Sequence, residues 1–157
     1  MPVNLTTPVS LDTVHSVTLS LDTNAYASGD VLAAPQEVTG FFSPYGSGVV
    51  IVKSILTTDL DDQGQNLDLL FFNAAASIGA ENAAFAPDDT NAAYLIGAFP
   101  VTGWVDAVNS QYSMDTGIDL MMQRGSTNSV WVAAVCREGT PTYTASGITL
   151  KIGVERR

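Results

Sequence analysis

Three apolar segments in the last third of the chain constrain the fold most strongly. From Ile148 to Glu155, every second residue is Ile, Leu or Val, and the residues between them are Thr, Lys, Gly and Glu. This period of two predicts a strand with one buried face and one solvated face. Val130–Cys136 is apolar at every position, which is typical of a central strand covered on both faces. A third alternating segment, 118–123, precedes it.

Turn-forming residues separate these three segments. Gly125–Asn128 lies in the first gap and Glu138–Pro141 in the second, and both are rich in the residues that tight turns favour. Consecutive strands joined in this way pair antiparallel. The last third of the chain therefore predicts an antiparallel sheet, whose apolar face the rest of the chain must cover.

The preceding residues contain further short strand patterns between polar turns. The predicted strands are 16–21, 31–34 (ending at Pro35), 37–42, 49–57, 67–72, 96–101 and 104–108. Asp88 or Asp89 is placed to cap one short helix over residues 91–95, because a carboxylate there accepts hydrogen bonds from first-turn amides. We therefore predict an all-β protein, an antiparallel β-sandwich or barrel with about 8–10 short strands and at most one short helix.

The distribution of turn-forming and strand-forming residues predicts two regions, an N-terminal arm and one domain. Residues 1–13, which contain two prolines and several Ser and Thr, form an extended N-terminal arm, and residues 14–157 form a single β-sandwich domain. Residues 73–91 are rich in Ala and long for a loop in a compact β domain. Loops of this length often carry contacts with partners.

The charge balance restricts the possible partners. The chain has 16 acidic and 6 basic side chains, which gives a net charge of −10. Nucleic acids and anionic membranes both attract clustered Lys and Arg, so we expect neither as a partner. No segment reaches the roughly 20 apolar residues of a membrane helix, and the N-terminus has no signal-peptide pattern. The single cysteine, Cys136, lies in an apolar strand and should be buried.

Candidate catalytic and metal-binding residues are few. Asp59, Asp61 and Asp62 could place several oxygens on a calcium loop, but no Glu closes the twelve-residue pattern, and we favour a solvated turn between strands. His15 is the only histidine, so zinc lacks its three or four ligands and any Ser-His-Asp arrangement would have to use this residue. No carboxylate spacing singles out a glycosidase pair. We predict no metal, no cofactor and no enzymatic activity.

Two aromatic residues are candidates for a sugar-binding surface. Trp104 and Tyr112 lie beside turn-forming residues, and exposed rings on the face of a sandwich can stack on sugars. Trp131 lies inside an apolar strand and is predicted to belong to the core. These rings therefore leave two interpretations. They form the sugar-binding surface of a carbohydrate-binding module, or, more simply, they pack in the core.

Three further segments have the character of one protein family. They are VTLSLDTNAYASGDVL at 17–32, DDQG at 61–64 leading into LDLLFF at 67–72, and GTPTY at 139–143 leading into SGITL at 146–150. Together they resemble the head decoration, or cement, proteins of tailed bacteriophages. The resemblance implies a jelly-roll-like β-sandwich, no catalysis, and a homotrimer that binds the major capsid protein on the outer surface of the virion after synthesis in the host cytoplasm.

The arm and the Ala-rich segment are the predicted contact surfaces of such an assembly. A threefold assembly needs a heterologous interface, in which two different patches meet. Ala and Phe left at a surface would form an exposed apolar patch. The candidate interface residues are Pro2, Val3, Leu5, Ala74, Ala75, Ala76, Ile78 and Phe85. We expect that deletion of residues 1–12 weakens capsid binding and leaves the fold intact.

Overall fold

Two antiparallel sheets form the framework of the computed structural model, which describes residues 11–157 without the side chain of Leu11. The strands are β1 (Leu11–Thr18), β2 (Val31–Val38), β3 (Val49–Asp59), β4 (Leu67–Phe72), β5 (Leu95–Val101), β6 (Val105–Asp106), β7 (Gln111–Gln123), β8 (Val130–Cys136) and β9 (Ile148–Arg156). One short helix, α1 (Asp89–Ala92), begins after the predicted cap Asp88, whose side chain accepts a hydrogen bond from the Asn91 amide. The all-β prediction is confirmed.

The strand order is that of a jelly roll. One sheet has five strands in the order β1-β9-β3-β7-β6, and the other has four in the order β2-β8-β4-β5. The chain changes sheet at every connection except β4 to β5 and β6 to β7, which is the winding of two Greek keys. The predicted jelly-roll-like sandwich is therefore the observed architecture. No helix within residues 11–157 has the length and apolar character needed to span a bilayer.

The inward faces of the two sheets form the main core. In β9 the predicted alternation holds, since Ile148, Leu150, Ile152 and Val154 are all buried. They pack with the inward residues of β4 and β8, which include Phe71. Cys136 is buried here as predicted, and burial raises the pKa of its thiol.

The outward face of the four-stranded sheet is buried as well along its central strands, β4 and β8. Residues 73–94, which we call the cover segment, lie across it, and the Val31 amide donates to the Ala83 carbonyl while the Asn82 amide donates to the Val31 carbonyl. The second buried cluster consists of Val31, Leu70, Phe72, Ile78, Ala133 and Val135. This arrangement explains why β8 is apolar at every position: its alternate side chains enter two different cores.

Ile78 is therefore not an interface residue, contrary to the sequence prediction, because its side chain has no exposure and belongs to the fold. Ala74, Ala76 and Phe85 are half-buried, and Ala75 is exposed. An interface role for these four stays a prediction. Pro2, Val3 and Leu5 lie outside the described residues.

Three predicted element bounds differ from the structure. β1 begins at Leu11, which pairs with Arg156, so residues 11–13 belong to the sandwich and not to the arm. The predicted strand at 37–42 is absent because β2 ends at Val38 and a turn follows, in which Gly40 has a φ of +66°. The first seven residues of β7 (111–117) are not among the predicted strands, because its inward positions there include the polar Ser113 and Asp115.

Both edges of the four-stranded sheet contain a proline. Pro35 lies inside β2 and not at its end, at a point where the register with β8 shifts between Ala33 and Gln36. A bulge on an edge strand tolerates a residue that has no N–H. Pro100 lies in β5, the opposite edge. Beside Pro35, the Gln36 side chain donates to the Thr18 carbonyl at 3.0 Å and accepts from the Ser20 amide at 2.6 Å, which joins β2 to the end of β1.

Replacement of Ile78 by Ala tests whether the cover segment belongs to the folding unit. Ile78→Ala should lower the free energy of unfolding by about 2–5 kcal/mol, because it leaves a cavity in the second cluster. Urea unfolding of the isolated protein measures this loss. Ala75→Ser, a change at an exposed position of the same segment, is the matched control and should change little. An unchanged midpoint for Ile78→Ala would contradict the packing described here.

Candidate functional site

The outward face of the five-stranded sheet is the candidate functional site, and we call it the outer face. Within the described residues no segment covers it as the cover segment covers the other sheet. Val14 of β1 and Met114 and Met121 of β7 lie on this face with 64%, 52% and 62% of their surface exposed. Met121 pairs with Ile51 and Met114 with Leu56, which gives an apolar strip along β3 and β7, while Val14 lies apart on β1. An exposed apolar strip marks a contact surface more strongly than single apolar side chains do.

Strand pairing arranges the outer face in rows that cross β1, β9, β3 and β7. The first row consists of Asp12, Glu155, Ile51 and Met121. The middle row consists of Val14, Gly153, Ser54 and Thr116. The second row consists of Ser16, Lys151, Leu56 and Met114. The first and second rows thus lie on opposite sides of the middle row.

Gly153 borders a shallow concavity of the outer face, which extends from the middle row to Asp12 and Glu155 of the first row. A Cβ at position 153 would meet the Ser54 hydroxyl, so a side chain there would require Ser54 to rotate. The concavity has a volume of about 310 Å³, and Val14 and Lys53 are among its lining residues. Lys53 is the extra residue of a bulge in β3 and forms an ion pair with Asp119 of β7.

The Asp59–Asp62 turn uses its carboxylates in different ways. Asp59 is fully buried, and its carboxylate accepts hydrogen bonds from the backbone amides of Asp61, Gln63 and Gly64 at 2.7–2.8 Å. The predicted solvated turn is therefore wrong for Asp59, although it holds for the exposed Asp62. No group of three or more His, Cys, Asp and Glu side chains that could hold a metal occurs within residues 11–157.

The segments that carry the family resemblance meet at one end of the sandwich. The Asp61 carboxylate accepts a hydrogen bond from the Thr144 amide at 2.8 Å, and the Tyr26 amide donates to the Pro141 carbonyl at 3.0 Å. The rings of Tyr26 and Tyr143 are 6.3 Å apart. Burial raises the pKa of Tyr26 to about 12, so its hydroxyl stays protonated. These residues brace the loops against one another.

His15 lies on the inward side of β1. Its ring is 4.8 Å from that of Phe41, and its Nε2 is buried without a hydrogen-bond partner in the part of the chain that the structure describes. Burial, and secondly the nearby charge of Arg156, hold its pKa below the ordinary 6.5. The surroundings of His15 are those of a packed strand residue.

The two predicted sugar-stacking residues differ in exposure. Trp104 is half-buried and packs against the main core, with its indole Nε1 buried. Tyr112 is 40% exposed and pairs with Val105 across β6 and β7. Sugar binding through these two rings stays a prediction. Trp131 packs on the second cluster, so it belongs to the interior as expected.

Comparisons with known proteins give no family. No family model matches the chain, and no curated protein matches it. One similar solved structure is titled Desmodium yellow mottle tymovirus, with 11% identity and a TM-score of 0.31, covering 99% of this chain and 85% of that chain. Another is titled Structure of infectious bursal disease virus Gx strain, with 15% identity and a TM-score of 0.18, covering 94% and 37%. These TM-scores are too low to support an argument about function.

Asp59→Asn tests the buried turn. Asn has only one accepting oxygen, so it can keep the bonds from the Gln63 and Gly64 amides or the bond from the Asp61 amide, but not both, and it loses the charge. Bonds to a charged acceptor contribute about 1.5–3 kcal/mol each. We therefore expect the free energy of unfolding to fall by at least about 2 kcal/mol. Asp62→Asn is the matched control, since Asn tolerates the φ of +56° at that position. Equal stability of the two variants in urea would contradict this role.

His15 should make the fold sensitive to mild acid. Because its pKa in the folded state lies below the 6.5 of the unfolded chain, its contribution is complete above pH 6.5 and is lost as the pH falls from there through the folded pKa. The melting temperature should fall between about pH 7.5 and about pH 5.5, and His15→Gln should reduce this fall. Ser16→Ala, on the opposite side of β1, should not. A His15→Gln variant with the wild-type pH profile would exclude His15 as the cause.

Proposed function

We propose that this chain is a structural protein of a bacteriophage virion that binds the outer surface of the capsid and stabilises it. The jelly roll supports the proposal, because viral coat domains use this architecture, although lectin domains use it too. Since a fold does not determine a function, the argument depends on the surface. The decoration role itself comes from the sequence resemblance.

The observation that carries the proposal is the contrast between the two sheets. The central strands β4 and β8 of the four-stranded sheet are buried on both faces, whereas the five-stranded sheet leaves Val14, Met114 and Met121 more than half exposed on its outer face. A protein that keeps such rows at its surface is suited to contact with other proteins. This supports a role in assembly without catalysis.

The charge favours the outside of the capsid. A net charge of −10 repels the phosphates of a packaged genome, so the outer surface is the more favourable location. The proposed partner is the major capsid protein. We propose a homotrimer on the capsid, with heterologous contacts between its copies.

Stabilisation of the shell would follow from binding alone. A protein that binds only the assembled shell lowers the free energy of that state, by about 2.7 kcal/mol per site when its free concentration is 100 times the Kd. The bound protein therefore needs no covalent link and no reaction.

Co-sedimentation with undecorated heads of the source phage tests the proposal. The full chain should pellet with the heads at a fixed, saturable ratio to the major capsid protein, and the decorated heads should dissociate at a higher temperature. Heads that already carry the protein are the control and should bind no more. Deletion of residues 1–10, which precede β1, should lower occupancy without changing the melting temperature of the isolated protein.

Two outcomes would contradict the proposal. Absence of saturable pelleting would remove the capsid as the partner. A glycan-dependent mobility shift that Tyr112→Ala abolishes would favour the carbohydrate-binding alternative. Tyr112 is the better probe than Trp104, because Trp104 packs against the main core and its replacement would also destabilise the fold.

A further inference from the structure

The charge on the outer face differs from that of the whole chain. Its charged side chains are Asp12, Lys53, Asp119, Lys151, Glu155 and Arg157, whose guanidinium lies 2.8 Å from the Glu155 carboxylate. These three carboxylates and three cations give the outer face a net charge of 0, whereas the chain has −10. Most of the repulsion between two copies of the protein therefore arises elsewhere on the surface, and the outer face is a favourable place for them to meet.

The rows of the outer face are complementary to one another. Glu155 in the first row has the same place in its row as Lys151 in the second, because both belong to β9. On β3 the corresponding residues are Ile51 and Leu56, and on β7 they are Met121 and Met114. An acid thus corresponds to a base, an aliphatic residue to an aliphatic residue, and a methionine to a methionine.

We infer that the outer face binds the outer face of a second copy of this chain about a twofold axis that lies along the middle row. Rotation about that axis places the first row of one copy over the second row of the other. Glu155 then faces Lys151 of the second copy, and Lys151 faces its Glu155. Such a contact is isologous, so each pair occurs twice.

The centre of the contact is shaped for close approach. Gly153 in the middle row has no side chain, and its concavity lies beside Val14, an apolar residue at 64% exposure. Facing sheets pack about 10 Å apart with interdigitating side chains. The concavity gives the two Val14 side chains of a dimer space beside the axis.

The outer face is also large enough. Its four long strands have 8, 9, 11 and 13 residues. At about 4.8 Å between strands and about 3.3 Å per residue, they present a face of about 20 Å by at least about 26 Å. Protruding side chains make the accessible surface of such a face larger than its flat area. The face is therefore comparable with the roughly 800 Å² that each partner buries in a standard protein interface.

This inference goes beyond the proposed capsid binding and does not depend on it: it assigns the outer face to contact between copies, so that the capsid would be bound through another surface. A trimer has heterologous contacts and uses other surfaces, so a twofold contact through the outer face would join copies that belong to neighbouring trimers. The test uses the purified full chain without capsids. Failure of the twofold contact and failure of capsid binding are therefore separate results.

Charge reversal with rescue tests the twofold contact. Sedimentation equilibrium of the wild type should show dimers that dissociate on dilution. Lys151→Glu and Glu155→Lys should each raise the dimer Kd by about tenfold or more, because each change places like charges opposite one another at two symmetric positions. The double variant should restore the Kd to within about threefold of the wild type.

The rescue is specific to pairing between copies. Lys151 and Glu155 are four residues apart on one strand, about 13 Å, so they do not form a pair within a copy. Glu155→Lys also removes the ion pair of Glu155 with Arg157 of its own copy, whereas Lys151→Glu leaves that pair intact and is the cleaner single variant. Arg137→Glu makes the same change of net charge as Lys151→Glu, at an ion pair with Asp68 on the other sheet, and it should leave the Kd unchanged. Thermal melting checks that every variant folds.

The same measurement can overturn the inference. A wild type that stays monomeric at millimolar concentration excludes the contact. So does a dimer or trimer that neither single reversal weakens, or a double variant that remains as weak as the single variants.

Discussion

The need to bury both faces of the four-stranded sheet governs the rest of the structure. β4 and β8 carry apolar side chains on both faces, and each fully buried Leu, Val or Phe contributes about 1.5–3 kcal/mol. The five-stranded sheet covers one face. The second face requires the cover segment, whose length is otherwise costly in conformational entropy. Ile78 and Phe72 offset that cost by meeting in one apolar cluster.

This constraint makes the two sides of the molecule unlike each other. On one side the cover segment adds a third layer over the four-stranded sheet. On the other side the outer face of the five-stranded sheet is the surface of the molecule. The loops at the end where Tyr26, Asp61 and Thr144 meet are held by hydrogen bonds within the chain. They keep the strands of both sheets in register at that end. The surface left for partners is a sheet whose rows are set by strand pairing.

The sequence predicts correctly the strands in which apolar residues occupy the buried positions and polar residues the exposed ones. β4 and β8 have the predicted bounds, because nearly every residue is apolar, and β9 follows its alternation. The first half of β7 is hidden because Ser113 faces inward, where its hydroxyl donates to the Thr102 carbonyl at 2.6 Å. Ile78 gives a weak signal, as the one large aliphatic residue in an Ala-rich segment. The outer-face rows join residues up to 143 positions apart, from Asp12 to Glu155, and a local pattern cannot reveal such pairs.

The edge strands determine whether copies of such a protein can aggregate by pairing strand to strand. Pro35 and Pro100 interrupt the hydrogen-bonding edges of the four-stranded sheet, β6 is only two residues long, and the Gln36 side chain occupies the end of β1. Exposed edges are where sheets of different molecules add strand to strand and grow into fibrils. Here lateral growth of that kind is opposed at several points. Crowded copies are left to associate through surfaces of finite size, which favours closed assemblies over open polymers.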